Sequence, residues 1–261
     1  MKKPLIDVIF ASEKRKNILL FLKEGPQEME HLLTSLDTNR QAILPQIRIL
    51  EEHYLVSHTK DTYELTNIGK LLVDEVAPLV NTTEVLDIDI DYWGTHNLDF
   101  IPPHLLKRMN ELGKCNIINP CISKMYEIHN NFHEATLLSE SVFVVTTFMF
   151  PNFSMLSSEL ISRNITMHAI ISTDLLDKMR NVDRAYFADL IKNKLFHFFV
   201  YSKKMDFISF AYNDHNLMLG LLTNSGDFDN KYVLCQGSCV LYWGKELFDY
   251  YLKDSVPITE I

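Results

Sequence analysis

The sequence predicts two domains of different fold class: an α+β domain over residues 1–80, and an α/β domain with a mixed, partly parallel sheet over residues 101–261. In the first, several helical patterns precede two short strand patterns. In the second, apolar strand patterns alternate with helical patterns, which is typical of a partly parallel sheet. An acidic segment, residues 81–100, is expected to connect them and ends before Pro102.

The first domain shows helices followed by a hairpin. Apolar residues at helical spacing predict helices over residues 5–24 and 27–36, and a third in TNRQAILPQIRILEEHYLV, which begins at Thr38. The short runs YLV and YEL predict two strands, with SHTKDT as the hairpin tip. Thr66 then caps a further helix. This order is that of a winged helix-turn-helix domain.

A proline interrupts the third helix. Pro45 removes a backbone hydrogen bond to Gln41, which inside a helix costs about 3 kcal/mol. Two interpretations are open: the helix bends at Pro45, or the residues before Leu44 form a separate turn and the helix begins near Pro45, where proline is tolerated.

The outward face of this helix supplies the candidate DNA contacts. If Ile43, Ile47 and Leu50 face the core, polar side chains lie on the other side, as a recognition helix in a major groove requires. The candidates are Asn39, Arg40, Gln41, Pro45, Gln46 and Arg48 on the helix, with His58 and Lys60 at the hairpin tip. Arginines suit guanine edges or phosphates, and glutamines suit adenine.

The net charge limits this interpretation. The chain has 25 Lys+Arg and 34 Asp+Glu, a net charge of −9, which argues against general affinity for nucleic acid. Residues 1–80 hold 10 basic and 12 acidic residues, a net charge of −2, so any DNA contact requires a local basic surface. No signal peptide or run of about 18 apolar residues is visible, which predicts a cytoplasmic protein without a membrane span.

The second domain offers a candidate effector site. Ligands of α/β sheets usually bind beyond the carboxyl ends of strands. The polar residues expected there are Asn119, Ser123, Thr146, Thr147, Ser172 and Thr173. Aromatic residues could also line a pocket, although most are expected in the core: Phe143, Phe148, Phe150, Phe153, Phe196, Phe198, Phe199, Tyr201, Phe210 and Tyr212.

Several phrases resemble those of a known family. The phrase YELTNIGKLLVDEV resembles the wing ending of many prokaryotic and archaeal regulators. Together with AILPQIRILEEHYLV, YWGTHNLDFIPPHLLKRMNEL and LYWGKELFDYYLKDS, it resembles the methanogen-type archaeal regulators with a Fil-type (methanogenesis regulatory) middle domain. The resemblance covers nearly the whole chain. It implies a transcription regulator with an effector-sensing α/β domain, and we expect a homodimer on double-stranded DNA.

A more distant relation in fold concerns the sheet of the second domain. The sensing domains of archaeal sugar-responsive regulators, with a phospholipase-D-like sheet, are plausible relatives. The catalytic phrase H-x-K-x(4)-D of the enzymes is absent, since His168, His197 and His215 are followed two residues later by residues other than lysine. The resemblance therefore gives no support for catalysis, and no enzyme activity, cofactor or metal is expected.

Two alternatives stay open. The cysteines are expected to be reduced and buried: Cys115, Cys121, Cys235 and Cys239. A metal- or redox-active domain would instead use Cys235 with Cys239, or His129 with His133, each pair four residues apart. The second alternative is a protein-interaction adaptor whose winged helix does not bind DNA, which the net charge of −2 favours.

Overall fold

The structure, a computed structural model, describes residues 2–120 and 130–261. The chain divides into two units, Met1–Val80 and Asn81–Ile261. The first unit begins with four α-helices, with a short strand between the second and third, and ends with a hairpin and a long helix that continues past its boundary. Its elements are α1 Leu5–Phe10, α2 Glu13–Phe21, a 3₁₀ turn at Leu22–Glu24, β1 Gln27–Glu28, α3 Met29–Ser35, α4 Arg40–Glu52, β2 Val56–Thr59, β3 Thr62–Leu65 and α5 Asn67–Asp87.

The hairpin strands β2 and β3 pair antiparallel, and β1 pairs with the other edge of β3. This sheet beside α2, α3 and α4 is the arrangement of a winged helix. The sequence predicted one helix over residues 27–36, but its first two residues form β1. Their place beside Thr62 and Tyr63 depends on a pairing that local periodicity does not reveal.

Helix α4 is the third predicted helix, and it is continuous. Ile43, Ile47 and Leu50 are buried, as predicted. The Asn39 side chain caps the helix by accepting a hydrogen bond from the Ala42 N–H at 2.9 Å. Pro45 therefore lies well inside a helix that begins at Arg40, and the interpretation that the helix begins near Pro45 is wrong.

The junction between the hairpin and α5 explains the wing-ending phrase. The Leu55 carbonyl accepts a hydrogen bond from the Thr66 N–H at 3.1 Å. The Thr66 hydroxyl donates to the Tyr54 carbonyl at 2.5 Å and accepts from the Gly69 N–H at 3.0 Å. A Cβ on Gly69 would lie 2.0 Å from the Leu55 oxygen, so the spacing T-x-x-G lets helix and strand backbones approach this closely.

The second unit contains a mixed sheet. Its described elements are α6 Ile90–Thr95, α7 Pro103–Leu106, a 3₁₀ turn at Met109–Leu112, β4 Lys114–Ile118, α8 Asn130–Thr136, β5 Ser141–Thr146, α9 Phe153–Ser162, β6 Thr166–Ser172, α10 Thr173–Val182, α11 Arg184–Lys192, β7 Phe196–Tyr201, β8 Ser209–Asn213, β9 Asn216–Gly220, β10 Tyr232–Gln236, α12 Ser238–Leu252 and β11 Ser255–Pro257. The strand order is β11-β7-β6-β5-β8-β9-β10-β4. Strands β5, β6 and β7 are parallel and the other pairs are antiparallel, which confirms a mixed, partly parallel sheet.

Helices cover both faces of this sheet. Helices α8 to α11 pack on one face, and α12 packs on the other together with the segment that precedes β4. Residues 81–100 were predicted to be a connecting segment. They contribute Val85, Trp93 and Phe100 to the core on the α12 face of the sheet. Trp243 of α12 is fully buried and donates a hydrogen bond to the Leu105 carbonyl at 3.1 Å, which ties α12 to α7.

The cysteines do not follow the prediction of reduced thiols. Cys115 and Cys235 lie opposite each other on the antiparallel strands β4 and β10, and they form a disulfide with a Cα–Cα distance of 4.0 Å. Cys239 is free and exposed on α12. Cys121 lies outside the described residues. The disulfide follows from strand register between segments 120 residues apart, which cysteine spacing cannot show.

We predict that Gly69→Ala destabilises the first unit by about 2–3 kcal/mol or more, because its Cβ would meet backbone that cannot move aside. Urea unfolding followed by circular dichroism should show this loss. Both tryptophans lie in the second unit, so their fluorescence should report an unchanged transition there. The matched control is Gly94→Ala in α6, where a Cβ would meet nothing within 4 Å. Equal stability of both variants would contradict the close approach at Leu55.

Candidate functional site

The candidate DNA contacts of the first unit are mostly exposed. Asn39, Arg40, Gln41, Pro45 and Arg48 are exposed on or beside α4, and His58 and Lys60 are exposed on the hairpin. The helix presents them because its buried residues, three and four positions apart, all lie on the opposite face.

Two of the candidate cations are paired with acids. Arg40 donates a hydrogen bond from Nη2 to Asp61 Oδ1 at 2.6 Å, which joins the start of α4 to the hairpin tip. His58 on β2 contacts the Glu51 carboxylate through Nδ1 and stacks on the Tyr63 ring at 5.3 Å. Burial, and next the negative charge of Asp61, raise the pKa of the Tyr63 phenol. These contacts fix the hairpin against α4.

The other two candidate cations are not paired in this way. Within the described part of the chain, neither Arg48 nor Lys60 takes part in an ion pair. Lys60 occupies the turn between β2 and β3 with φ +58°, so its side chain lies at the hairpin tip. Arg48 and Lys60 are therefore the cations of this surface that are available to a phosphate or a base edge.

Gln46 is engaged inside the unit. Its Oε1 accepts a hydrogen bond at 2.8 Å from Nη1 of Arg15, a buried residue of α2. The Ser12 hydroxyl donates to the same oxygen at 3.3 Å. Arg15 is further held by the Val8 carbonyl, which accepts from its Nε. An adenine contact by Gln46 stays a prediction, and its acceptor oxygen already serves a buried guanidinium.

The candidate effector residues mostly hold backbone in place. The Ser172 hydroxyl caps α10 by accepting from the Leu175 N–H at 3.2 Å, directly before Thr173. The Thr147 hydroxyl donates to the Ile208 carbonyl at 2.9 Å. Asn119 is exposed after β4, and Ser123 lies outside the described residues. Of this predicted set, Thr146 lines the cavity described next, and the others described do not.

A cavity of about 100 Å³ lies on the sheet face that α8 to α11 cover. Its wall is formed by Phe132, His133, Thr136, Val142, Val144, Thr146, Phe148, Met149, Phe150, Phe153, Leu156, Leu160, Met167, Ala169, Ile171, Leu175, Met179, Phe198, Ser209, Ala211 and Met218. Four of the aromatic residues that the sequence suggested take part. The remaining six do not line it: Phe143, Phe196, Phe199, Tyr201, Phe210 and Tyr212.

The predicted alternative of a metal or redox site does not form from Cys235 and Cys239, because the Cys235 sulfur is bonded to Cys115. His133 lies beside Glu159, with 3.0 Å between Nε2 and Oε2, and its predicted partner His129 lies outside the described residues. Among residues 2–120 and 130–261, no group of three or more His, Cys, Asp or Glu is placed to hold a metal ion.

Comparison with known proteins identifies the family. The model for the N-terminal domain of methanogenesis regulatory protein FilR1 matches residues 4–84, and that for its middle domain matches residues 125–254. The chain belongs to the FilR1 family. A relative, the methanogenesis regulatory protein FilR1 of Methanothrix harundinacea (strain 6Ac), is 26% identical over 261 residues, covering 98% of this chain. The chain spans 58% of the length of that relative. The resemblance seen in the sequence is confirmed.

Two solved structures show weaker likeness. One is TrmBL2, an archaeal chromatin protein described as having a novel mode of DNA binding: 10% identity, TM-score 0.44, covering 95% of this chain and 94% of that one. The other is the dimethyltransferase RosA of Streptomyces davawensis, with 13% identity, TM-score 0.24 and coverages of 76% and 63%. Both TM-scores are too low to support an inference about this FilR1-family chain.

Within residues 2–120 and 130–261, no helix combines the length and the apolar character that crossing a membrane requires.

We predict that Gln46→Ala lowers the free energy of unfolding of the first unit by about 1–3 kcal/mol, because it leaves Nη1 of the buried Arg15 without its acceptor. Gln41→Ala, on the exposed side of the same helix, is the matched control and should change stability little. Urea unfolding by circular dichroism measures both. If Gln46→Ala kept full stability and weakened DNA binding instead, the original prediction of a base contact would hold.

Proposed function

We propose that this FilR1-family chain is a cytoplasmic, homodimeric, DNA-binding transcriptional regulator whose second unit responds to an effector and carries out no enzymatic step. In this proposal residues 1–80 bind DNA and residues 101–261 sense the effector. The single observation that carries the DNA-binding role is the exposed polar face of α4 beside an exposed hairpin tip. Membership of a family named for a regulatory protein supports the same conclusion.

On the exposed face of α4, Arg40 can exchange the Asp61 carboxylate for a DNA phosphate. The Arg40 and Asp61 side chains are each 51% exposed, and a pair this exposed contributes only about 0–1 kcal/mol. Little is therefore lost when Arg40 leaves Asp61 for a DNA phosphate, which binds arginine with two parallel hydrogen bonds. Arg48 and Lys60 add the phosphate and base contacts that neutralise the backbone charge.

We predict that Arg48→Ala weakens binding to the DNA upstream of its own gene by about 5- to 100-fold, the loss of one base or phosphate contact. Asp61→Asn should strengthen binding, because it removes the anion that competes for Arg40. Electrophoretic shift assays at several salt concentrations measure both effects, and the salt slope of Arg48→Ala should fall by about 1 if the contact is to a phosphate.

The matched control for Asp61→Asn is Asp74→Asn, which makes the same change of charge on α5, beside Lys23. If Asp74→Asn strengthened binding as much, the effect would be one of net charge alone. Absence of any salt-sensitive, sequence-dependent shift with the unchanged protein would rule out the DNA-binding role.

Helix α5 supports the proposed homodimer. Ile68, Leu71 and Leu79 are 50%, 69% and 54% exposed, and at 3.6 residues per turn they lie within about 80° of one another. An exposed apolar stripe of this kind is typical of a helix that packs against another copy of itself. Glu75 lies within the stripe, so the two copies must keep their Glu75 carboxylates apart.

We predict that Leu71→Glu converts the dimer to a monomer, because it replaces the most exposed apolar side chain of the stripe with a second charge beside Glu75. Lys70→Glu is the control: it lies one residue earlier on the opposite side of α5 and should leave the dimer intact. Sedimentation velocity measures the mass of each variant. A dimer that survives Leu71→Glu would place the dimer contact elsewhere.

The effector role is supported by the cavity in the second unit and by the family's separate middle domain. The mixed sheet is also compatible with the relation in fold to phospholipase-D-like sensing domains, which we retain as part of the proposal. Thermal-shift screening against metabolites, metals and corrinoids tests the role, and a flat result across a broad panel would favour a purely protein-binding second unit.

The second candidate function is a protein-interaction adaptor. It is favoured by one observation: Arg40 and His58, two of the predicted DNA-contacting cations, already face Asp61 and Glu51. Basic side chains that are already paired with carboxylates of the same surface attract a phosphate backbone less strongly. The shift assay separates the two functions, because an adaptor would show no salt-sensitive DNA complex.

A further inference from the structure

The cavity in the second unit has an apolar wall. Aliphatic, aromatic and methionine side chains form most of it, and none of the described residues that line it is Lys, Arg, Asp or Glu. A phosphate or carboxylate ligand would therefore lose its hydration without meeting a fixed cation, which is strongly unfavourable. The cavity thus excludes the anionic metabolites that many regulators bind.

Most hydroxyl groups of the wall are already engaged. The Thr146 hydroxyl donates to the Phe148 carbonyl at 2.7 Å and accepts from the Phe148 N–H at 3.1 Å. The Thr136 hydroxyl donates to the Phe132 carbonyl at 2.8 Å and accepts from Asn213 Nδ2 at 2.9 Å. Ser209 adds one further hydroxyl. A sugar, with a hydroxyl on nearly every carbon, would find too few partners here.

One polar group in the wall lacks a partner. Nδ1 of His133 is buried, and within the described part of the chain it has no hydrogen-bond partner. Nε2 of the same ring lies 3.0 Å from Glu159 Oε2, but the angles between the two groups are not those of a hydrogen bond. In the neutral ring, a proton on Nε2 that faces the carboxylate leaves Nδ1 as an acceptor. Nδ1 has almost no accessible surface, so a ligand hydroxyl would satisfy it after a small turn of the ring toward the cavity.

The size and flexibility of the cavity fit a small apolar body. Its volume of about 100 Å³ is somewhat below the roughly 150 Å³ of an engineered apolar cavity that stays dry and binds benzene. Met149, Met167, Met179 and Met218 line it, and methionine side chains change rotamer readily to fit a guest. A guest of about benzene size therefore requires only side-chain movement.

We propose that this cavity binds a small, uncharged, mainly hydrocarbon molecule that carries one hydroxyl, which donates to His133 Nδ1. The inference rests on the proposed effector role and names the chemical class of that effector. It excludes sugars and phosphorylated compounds as ligands of this cavity.

The test uses phenol and benzene, which differ by one hydroxyl, with the full-length protein labelled with ¹³C at the methionine methyl groups. Phenol should shift the NMR signals of Met149, Met167, Met179 and Met218 in a saturable way. Met29 in the first unit and Met109 on the other face of the sheet are internal controls that should not move. Glucose and inorganic phosphate should shift none of the four.

Two kinds of variant locate the site. Ala169→Leu on β6 and Ala211→Leu on β8, the two strands that flank β5, should fill the cavity and raise the Kd of phenol at least about tenfold. Ala185→Leu, the same change at an exposed position of α11, is the matched control. His133→Leu should remove the preference for phenol over benzene, which we expect to be about three- to tenfold in the unchanged protein.

Three results would overturn the inference. They are no saturable shift of the four methionines, equal shifts in Met29 and Met109, or unchanged phenol binding in both filling variants when their Met109 signals show a folded second unit. The effector role is tested separately by the DNA shift assay with and without phenol. Saturable binding without any change in DNA affinity would leave the ligand site standing and contradict its proposed role as an effector site.

Discussion

The second unit is governed by one constraint: the central strands of its sheet are apolar on both faces, so both faces must be covered. Val145 and Ile170 face α12, while Val142 and Ala169 face α8 to α11. Neighbouring side chains of a strand point to opposite faces, so no single layer of helices can bury them all. The layered order of helices, sheet and helices follows from this alternation.

Side chains fill the space on one face of the sheet more completely than on the other. On one face, large aromatic residues such as Trp243, Phe207 and Phe210 fill the space, and the Trp243 indole N–H donates to a backbone carbonyl. On the other, the small side chains of Ala169 and Ala211 leave a void that methionines and phenylalanines surround without filling. A close-packed interior loses dispersion contacts at such a void, so the free energy of the empty unit is less favourable than a filled core would give.

The sequence alone predicted the structural features that depend on the spacing of residues close together in the chain. The spacing of Ile43, Ile47 and Leu50 predicted the buried face of α4, and the alternation of strand and helical patterns predicted a partly parallel sheet. It was insufficient where distant segments meet. The hydrogen bond of Gln46 could not be foreseen, because its partner Arg15 lies 31 residues away on another helix. The pairing of Cys115 with Cys235 depends on strand register, and the cavity depends on which small residues of different strands share a face. Pro45 shows a different limit, since the capping and burial of the whole helix outweigh one lost hydrogen bond.

The Cys115–Cys235 bond also sets the covalent topology of the second unit. It closes a ring from β4 to β10 that contains both parallel-strand connections and every described residue of the cavity wall. Cleavage of the backbone anywhere within that ring leaves the two fragments linked, so α12 stays attached to the chain that precedes β4. The unfolded ensemble is restricted in the same way, because a closed ring has fewer conformations than an open chain of equal length. The part of the protein that lines the cavity is thus the part whose ends are joined by a covalent bond.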